Sequence, residues 1–255
     1  MLLKIQGEIT MDKKVNIMGV PIDRVTMEEA LQKTINLLKE NKCHAIYTPN
    51  PEIIMEAQKD GKLMKALIHS SLIVPDGIGV VWASRILRGP KLPERVAGYD
   101  LVQNLFRELS KTNYTFYFLG GAPGTTKEAA KAMKEKYKGL KIIGTEHGYF
   151  KPEEEDKIIK GIQEAEPDIL LVGLGAPKQE KFIEKYREIL PVKVCIGVGG
   201  SFDGMTGKVK RAPQVFQKLG LEWFYRLITQ PTRAKRMIRL PIFAWNVLKA
   251  SVKKQ

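Results

Sequence analysis

Short apolar runs alternate with helix-like stretches along most of this chain, and the alternation restricts the folds open to it. The strand-like runs cover residues 15–18, 45–47, 72–74, 115–119, 141–143, 169–172 and 192–198. Helical patterns cover 27–38, 50–59, 78–87, 100–109, 125–137, 152–164 and 177–190, the first of them after a Thr26–Glu29 capping box. Such alternation predicts an α/β, Rossmann-like fold, a mostly parallel sheet with helices on both faces.

Three of the predicted strands run into glycine-rich turns, at residues 119–124, 172–179 and 198–204. Ligands of open α/β sheets bind beyond the carboxyl ends of the strands, where helix N-termini offer N–H groups to phosphate. One such turn indicates only a tight bend, but three at one edge favour a nucleotide or sugar-nucleotide site. The candidate binding residues in these turns are Gly120, Gly121, Gly175, Gln179, Gly199, Gly200 and Asp203. None of the turns has the spacing of a dinucleotide fingerprint or a P-loop.

The carboxylate best placed for chemistry is Asp76, which directly follows the apolar run 72–75. Partial desolvation there would raise its pKa and make it a better general base near neutral pH. The alternative is that Asp76 caps the helix beginning at Gly77. Thr48 and Asn50 close the preceding strand and should lie at the same edge, although Asn-Pro is also ordinary turn chemistry.

A metal site is not expected. His44, His69 and His147 lack metal-ligand spacing, there is no Asp-x-Asp pair, and Cys43 and Cys195 are interpreted as two reduced core thiols. No cofactor is predicted. Arg95, in the proline-containing loop 90–98, is a further candidate substrate-binding residue, the alternative being that an isolated loop arginine is usually solvated. A leaving diphosphate would therefore need its positive charge from arginines of the C-terminal region.

The charge of the chain is concentrated at its C-terminal end. Residues 208–255 hold twelve Lys and Arg and a single acid, Glu222, whereas the first 207 residues hold 30 basic and 27 acidic residues. Large apolar side chains are interleaved with these cations, which suits an anionic membrane surface better than a nucleic acid. We therefore expect a catalytic core over 11–207 and a basic, helical, membrane-associating appendage over 208–255. Off the membrane, an apolar tail would favour self-association.

Pro231 and Pro241 are predicted to start two short helices in this appendage. Trp245, Leu248 and Val252 should share one face of the second helix, opposite Asn246, Lys253 and Lys254. The candidates for contact with diphosphate at the membrane are Arg226, Arg233 and Arg236. The alternative is a terminal helix pair packed on the body with a solvated basic face. With no signal peptide and no apolar run of about 18 residues, the expected location is cytoplasmic, peripheral on the inner face of the cell membrane.

Together these motifs resemble the WecG/TagA/CpsF family of bacterial glycosyltransferases. The matching stretches run in family order: Gly19-Val-Pro-Ile-Asp23, Thr48-Pro-Asn-Pro-Glu52, Pro75-Asp-Gly-Ile-Gly79, Arg95-Val-Ala-Gly-Tyr-Asp100, the glycine turn at 120–124, Gly148-Tyr-Phe150, Gly173-Leu-Gly-Ala-Pro-Lys-Gln-Glu180 and Gly197-Val-Gly-Gly-Ser-Phe-Asp-Gly204. They span about residues 15 to 240, and no motif position departs from the family pattern.

The resemblance implies inverting, metal-independent transfer from a UDP-sugar donor to an undecaprenyl-diphosphate-linked acceptor. In the TagA-like branch, N-acetylmannosamine is moved onto undecaprenyl-diphosphate-N-acetylglucosamine to build the wall teichoic acid linkage unit. The WecG-like branch uses a mannosaminuronic acid donor, and the short, Lys-rich chain favours the first branch. Asp76 would then be the base, with Thr48 and Asn50 positioning a sugar. Gln179 and Asp203 would contact uridine or ribose, with Tyr149 as a stacking platform and glycine-turn N–H groups at the diphosphate.

Two other classes of protein fit the sequence less well. A nucleotide-dependent oxidoreductase should show a dinucleotide fingerprint after its first strand, and the chain has none. A basic nucleic-acid-binding protein would explain the charge but neither the Asp76 edge nor the three glycine turns.

Overall fold

A six-stranded, all-parallel sheet forms the centre of the computed structural model, which describes residues 14–209, 212–213, 215–216, 220–229 and 239–252. In chain order its strands are β3 (His44–Tyr47), β4 (Leu72–Ile73), β5 (Thr115–Gly120), β6 (Lys141–Glu146), β7 (Ile169–Gly173) and β8 (Val194–Gly197). Across the sheet they are arranged as β4-β3-β8-β7-β5-β6. This confirms the predicted α/β class.

The first predicted strand does not belong to this sheet. β1 (Lys14–Ile17) pairs antiparallel with β2 (Val20–Asp23) in a separate hairpin, whose two turn residues both have positive φ. Buried Asp23 ties the hairpin to the sheet, because its carboxylate accepts from the Ile73 backbone N–H at 2.9 Å and pairs with Lys33 at 3.2 Å. β2 escaped prediction because it is four residues long and contains a proline.

Helices cover both faces of the sheet. They are α1 (Met27–Leu37), α2 (Pro51–Ala57), α3 (Gly61–Ile68), α4 (Ile78–Ile86), α5 (Gly98–Leu109), α6 (Thr125–Lys136), α7 (Glu155–Ala165), α8 (Lys178–Tyr186) and the short α9 (Ser201–Met205). A 3₁₀ turn, Pro152–Glu154, precedes α7. Alternate residues of β5 enter opposite cores, Tyr117 and Leu119 on one side and Phe116 and Phe118 on the other. α3 was not predicted as a helix; its start is fixed by Asp60, which accepts from two backbone N–H groups.

The C-terminal region contributes α10 (Glu222–Thr229) and α11 (Arg239–Val252) to the described residues. α11 begins two residues before Pro241, which lies in its first turn, and Pro231 lies outside the described residues. The helix packs on α2 and α4, with Phe243 and Val247 buried in the core. Its opposite face leaves Trp245, Leu248 and Val252 exposed. Trp245, Leu248 and Val252 thus share one exposed face, as predicted, on a helix that also packs on the body, while Lys253 and Lys254 of the predicted opposite face lie outside the described residues. None of the described helices is long and apolar enough to cross a bilayer.

Candidate active site

The site residues predicted at the strand ends lie along one edge of the sheet, because all six strands point their carboxyl ends the same way. Along that edge come Asp76 after β4, Thr48 and Asn50 after β3, Gly199, Gly200 and Asp203 after β8, Gly175 and Gln179 after β7, Gly120 and Gly121 after β5, and Tyr149 after β6. Five strand spacings of about 4.8 Å separate the ends of this row, roughly 24 Å in all. The edge thus has two ends that a compact ligand does not reach together.

A cavity of about 140 Å³ opens at the β4 end of this edge. It is lined by Asn50, Pro51, Glu52, Asp76, Gly77, Ile78, Gly79, Arg95, Gly220, Glu222, Trp223 and Leu240. Core residues and residues of the C-terminal region therefore share one site. Sites for a whole small-molecule ligand usually enclose about 300–1,000 Å³, so this cavity can hold only part of such a ligand.

Arg95 is the centre of charge in the cavity. Its Nη2 lies 2.8 Å from an oxygen of Glu222 and 3.6 Å from an oxygen of Asp76. The loop that carries it is anchored beside Asp76 by the Val96 backbone N–H, which donates to the Pro75 carbonyl at 2.9 Å. The alternative of a solvated loop arginine does not hold, since only 21% of the Arg95 side chain is exposed. Contact of Arg95 with substrate stays a prediction. Two carboxylates compensate its partial burial.

Asp76 does not cap the following helix. The N-cap of α4 is Gly77, with φ +94° and no side-chain capping bond, and the Asp76 side chain lines the cavity instead. The side chain is 28% exposed, so it is partly desolvated yet open to a ligand. This geometry fits a carboxylate that accepts a proton from a bound hydroxyl group.

Thr48 and Asn50 hold the neighbouring part of the edge together. The Thr48 hydroxyl lies 3.5 Å from the Gly197 carbonyl, which joins the ends of β3 and β8. Asn50 caps α2 by accepting from the Ile53 backbone N–H at 3.0 Å, and it also lines the cavity. The turn chemistry expected for Asn50 is thus present together with a position in the site.

The glycine turns use some of their N–H groups within the fold. Gly121 donates to the Gly173 carbonyl at 3.1 Å, and Gly199 donates to Oε1 of Gln179 at 2.9 Å. At Gly120, where φ is +142°, a β-carbon would lie 2.3 Å from the Gly173 carbonyl oxygen, so only glycine allows the two turns to meet. Contact of Gln179 with uridine or ribose stays a prediction, because its buried amide is bonded inside the protein here.

The remaining predicted residues are more open. Gly175 has φ +75° with empty space on its side-chain side, and Gly200 is the N-cap of α9. Asp203 is half-buried on α9, and Tyr149 is 75% exposed beyond β6. Their proposed contacts with the nucleotide stay predictions.

Two charged residues of this edge were not picked out from the sequence. Lys178 begins α8, with its Nζ 3.4 Å from the Gly148 carbonyl and 4.4 Å from the centre of the Phe150 ring. Glu222 reaches Arg95 from α10. A signal existed for both, since Lys178 directly follows a glycine turn and Glu222 is the lone acid of the basic region.

The three arginines predicted to contact diphosphate lie wholly or partly outside the described residues. The backbone of Arg226 belongs to α10, but its side chain is not among the parts described, and Arg233 and Arg236 lie outside the described residues altogether. Among the residues that the structure does describe, no three His, Cys, Asp or Glu side chains are grouped so that they could hold a metal ion.

Comparison with known proteins gives concordant matches over nearly the whole chain. The sequence profile described as "Glycosyl transferase WecG/TagA/CpsF family" matches residues 15–255. A protein of Bacillus subtilis (strain 168), named N-acetylglucosaminyldiphosphoundecaprenol N-acetyl-beta-D-mannosaminyltransferase, is 42% identical over 210 residues, covering 82% of this chain and 81% of its own. Proteins of the same name from Bacillus spizizenii (41% identical, 83% and 81% covered) and Staphylococcus aureus MRSA252 (36% identical, 94% of each covered) agree. The chain therefore belongs to the WecG/TagA/CpsF family of glycosyltransferases.

Proposed function

We propose that this enzyme transfers N-acetylmannosamine from UDP-N-acetylmannosamine to undecaprenyl-diphosphate-N-acetylglucosamine, as the names of its relatives state for them. Such a product would serve as the linkage unit of wall teichoic acid. The observation that carries the proposal is the cavity in which Asp76 and Arg95 lie 3.6 Å apart at the carboxyl edge of the sheet. This cavity brings together a proton acceptor, Asp76, and a cation that can bind phosphate, Arg95.

In the proposed reaction, Asp76 accepts the proton of the acceptor sugar hydroxyl while that oxygen attacks the anomeric carbon of the donor. The new carbon–oxygen bond forms on the face opposite the leaving group, so the configuration inverts. The bond from the anomeric carbon to the diphosphate breaks, and UDP departs with its electron pair. Thr48 and Asn50 position the sugars, since both stand between Asp76 and the glycine turns.

The negative charge that develops on UDP is stabilised by arginine in this proposal. Arg95 is already in the cavity, and Arg226, Arg233 and Arg236 belong to the region whose described parts line the same cavity. A guanidinium binds phosphate through paired hydrogen bonds without any metal. We therefore infer a metal-independent reaction.

The proposal of membrane attachment is supported by the surface of the C-terminal region. Eight of the sixteen exposed large apolar side chains among the described residues lie between 221 and 252, Trp223 and Trp245 among them. Combined with the surrounding basic residues, they suit the interface of an anionic bilayer. We infer peripheral binding to the cytoplasmic leaflet, where the lipid-linked acceptor is held, with the appendage from 208 onward completing the site. Off the membrane, these side chains could be covered by a second copy.

The test of the chemistry is Asp76→Asn, with Glu52→Gln as a matched change of the other core carboxylate in the cavity. Asp76→Asn should keep the fold and UDP binding and lower kcat about 10²-fold or more, the usual contribution of a general base. Product analysis with UDP-N-acetylmannosamine and a lipid-diphosphate-N-acetylglucosamine analogue gives the rate. Near wild-type turnover in Asp76→Asn, or a larger loss in Glu52→Gln, would remove Asp76 from this role.

The same assay separates the donor alternatives. Preference for a UDP-mannosaminuronic acid donor would place the enzyme in the other branch of its family. Truncation after Gly220 should abolish both binding to anionic vesicles and transfer, while circular dichroism still reports a folded body. A truncated enzyme that transfers at full rate would show the appendage to be dispensable.

A further inference from the structure

The buried carboxyl group of Glu180 lies next to Gln179, the residue that bonds the glycine turn after β8. Glu180, in the first turn of α8, is 1% exposed, and its Oε1 accepts from Nε2 of Gln179 at 2.8 Å. Among the described residues, its Oε2 has no hydrogen-bond partner and is closed off from solvent. Burial raises the pKa of Glu180, which favours the neutral acid. A leucine would fill this place without an unpaired oxygen, so the fold retains a group that weakens it.

The contacts of Gln179 show what Glu180 can do. The amide of Gln179 has one acceptor and one donor end, and its Oε1 receives the Gly199 backbone N–H at 2.9 Å. The reversed amide would set its NH₂ group against that N–H, donor against donor. Glu180 accepts from the NH₂ end and so selects the orientation that holds Gly199, a residue with φ +52°.

Two neighbours show that this arrangement is closely packed. A β-carbon on Gly197 would lie 2.8 Å from Nε2 of Gln179, so the amide needs a glycine there. The Tyr47 hydroxyl donates to the Glu180 backbone carbonyl at 3.3 Å, fixing the first turn of α8 against β3. Displacing the amide would therefore shift the turn after β8.

We propose that Glu180 is a positioning residue, which orients the Gln179 amide and through it holds the Gly199 turn in the shape that binds the UDP part of the donor. Glu180 touches no substrate. The inference rests on the proposed UDP-sugar donor, and it assigns to α8 the shaping of the nucleotide side of the edge. Asp76 follows β4, two strands away from the β8 turn that carries Gly199, so the proton transfer proposed for Asp76 does not involve Glu180.

The test compares Glu180→Leu with Glu180→Gln in the full-length enzyme. Glu180→Leu removes the acceptor and should raise both the donor KM and the Kd of UDP about tenfold, the effect of one lost orienting hydrogen bond, with kcat within about threefold. Glu180→Gln keeps an acceptor oxygen and should restore both values. Glu184→Leu, one turn along the same helix and bonded to His69, is the matched control and should leave both unchanged.

Gly197→Ala reaches the same amide from the other side and should raise the Kd of UDP similarly, which keeps the test usable if Glu180→Leu does not fold. Because both changes act through one contact, the double variant should be little worse than either alone. The inference is overturned if the Kd of UDP is unchanged in both Glu180→Leu and Gly197→Ala. It is also overturned if Glu180→Gln raises that Kd as much as Glu180→Leu does. UDP binding by calorimetry needs no acceptor, so a wild type that binds UDP without transferring N-acetylmannosamine would refute the proposed function alone.

Discussion

Phe243 should hold the C-terminal helix on the body, and its removal offers a measure of that attachment. The ring is 2% exposed between α11 and the core, beside fully buried Val247. Replacing a buried phenylalanine by alanine costs about 3–5 kcal/mol. At about 1.4 kcal/mol for each factor of ten, docking of α11 should weaken by roughly 10²-fold to a few thousand-fold. Because Leu240 on the same helix lines the cavity, Phe243→Ala should also lower transfer.

Hydrogen exchange read by mass spectrometry is the direct assay. Phe243→Ala should speed exchange of the backbone amides of 239–252 by a factor approaching that docking loss, while the strands of the sheet keep their protection. Trp245→Ala is the control on the same helix, since this side chain is 61% exposed and its loss should change stability by less than about 0.5 kcal/mol. If Phe243→Ala leaves 239–252 protected, or loosens the sheet equally, the helix is not a separately docked element and the reasoning fails.

Three further predictions concern the site and its supports. Activity should survive EDTA, and a strict need for added magnesium or manganese would contradict an arginine-stabilised leaving group. Lys178→Gln should raise the donor KM about tenfold, because a cation that can pair with the diphosphate is lost, whereas Lys181→Gln, which breaks only the surface pair with Asp60, should not. The raised pKa of buried Glu180 means that the folded protein keeps a proton that the unfolded chain has released, so the free energy of unfolding falls as pH rises from about 4.5 toward the folded-state pKa. Urea unfolding at a series of pH values should show a smaller decline for Glu180→Gln.

The sheet could be predicted from the sequence because most of its strands are apolar and separated by long helical patterns. β3, β4, β5, β7 and β8 are almost entirely buried, and such strands leave a clear signal, whereas only Ile142 of the edge strand β6 is buried. β1 was predicted as a strand, but β2 left no signal, because a four-residue strand with a proline resembles a loop. α3 was missed because its start depends on Asp60, whose capping role becomes visible only when the chain turns there.

The candidate site was predictable in its position and not in its charge pairing. Asp76, Thr48 and the glycine turns follow parallel strands, so they lie at one edge of the sheet regardless of the hydrogen bonds and ion pairs that they make there. The Arg95–Glu222 contact joins residues 127 positions apart, and no local pattern reports such a pair. The internal use of the Gly121 and Gly199 N–H groups likewise depends on tertiary neighbours. Membership of a glycosyltransferase family leaves the oxidoreductase and nucleic-acid-binding alternatives without support.

The contact between Arg95 and Glu222 has a thermodynamic consequence. A phosphate that binds Nη2 of Arg95 competes with the Glu222 carboxylate for it, so donor binding changes how α10 is held beside the cavity. Donor binding and the position of the C-terminal region proposed to face the membrane are then coupled, and such coupling is reciprocal. UDP should strengthen binding to anionic vesicles by the same factor by which vesicles strengthen UDP binding, and Glu222→Gln should reduce both factors toward one. Vesicle sedimentation with and without UDP measures the first factor, and an unchanged affinity would show that the two events are independent. An enzyme coupled in this way would leave the bilayer more readily once UDP had dissociated, so nucleotide occupancy would set its residence time beside the lipid acceptor.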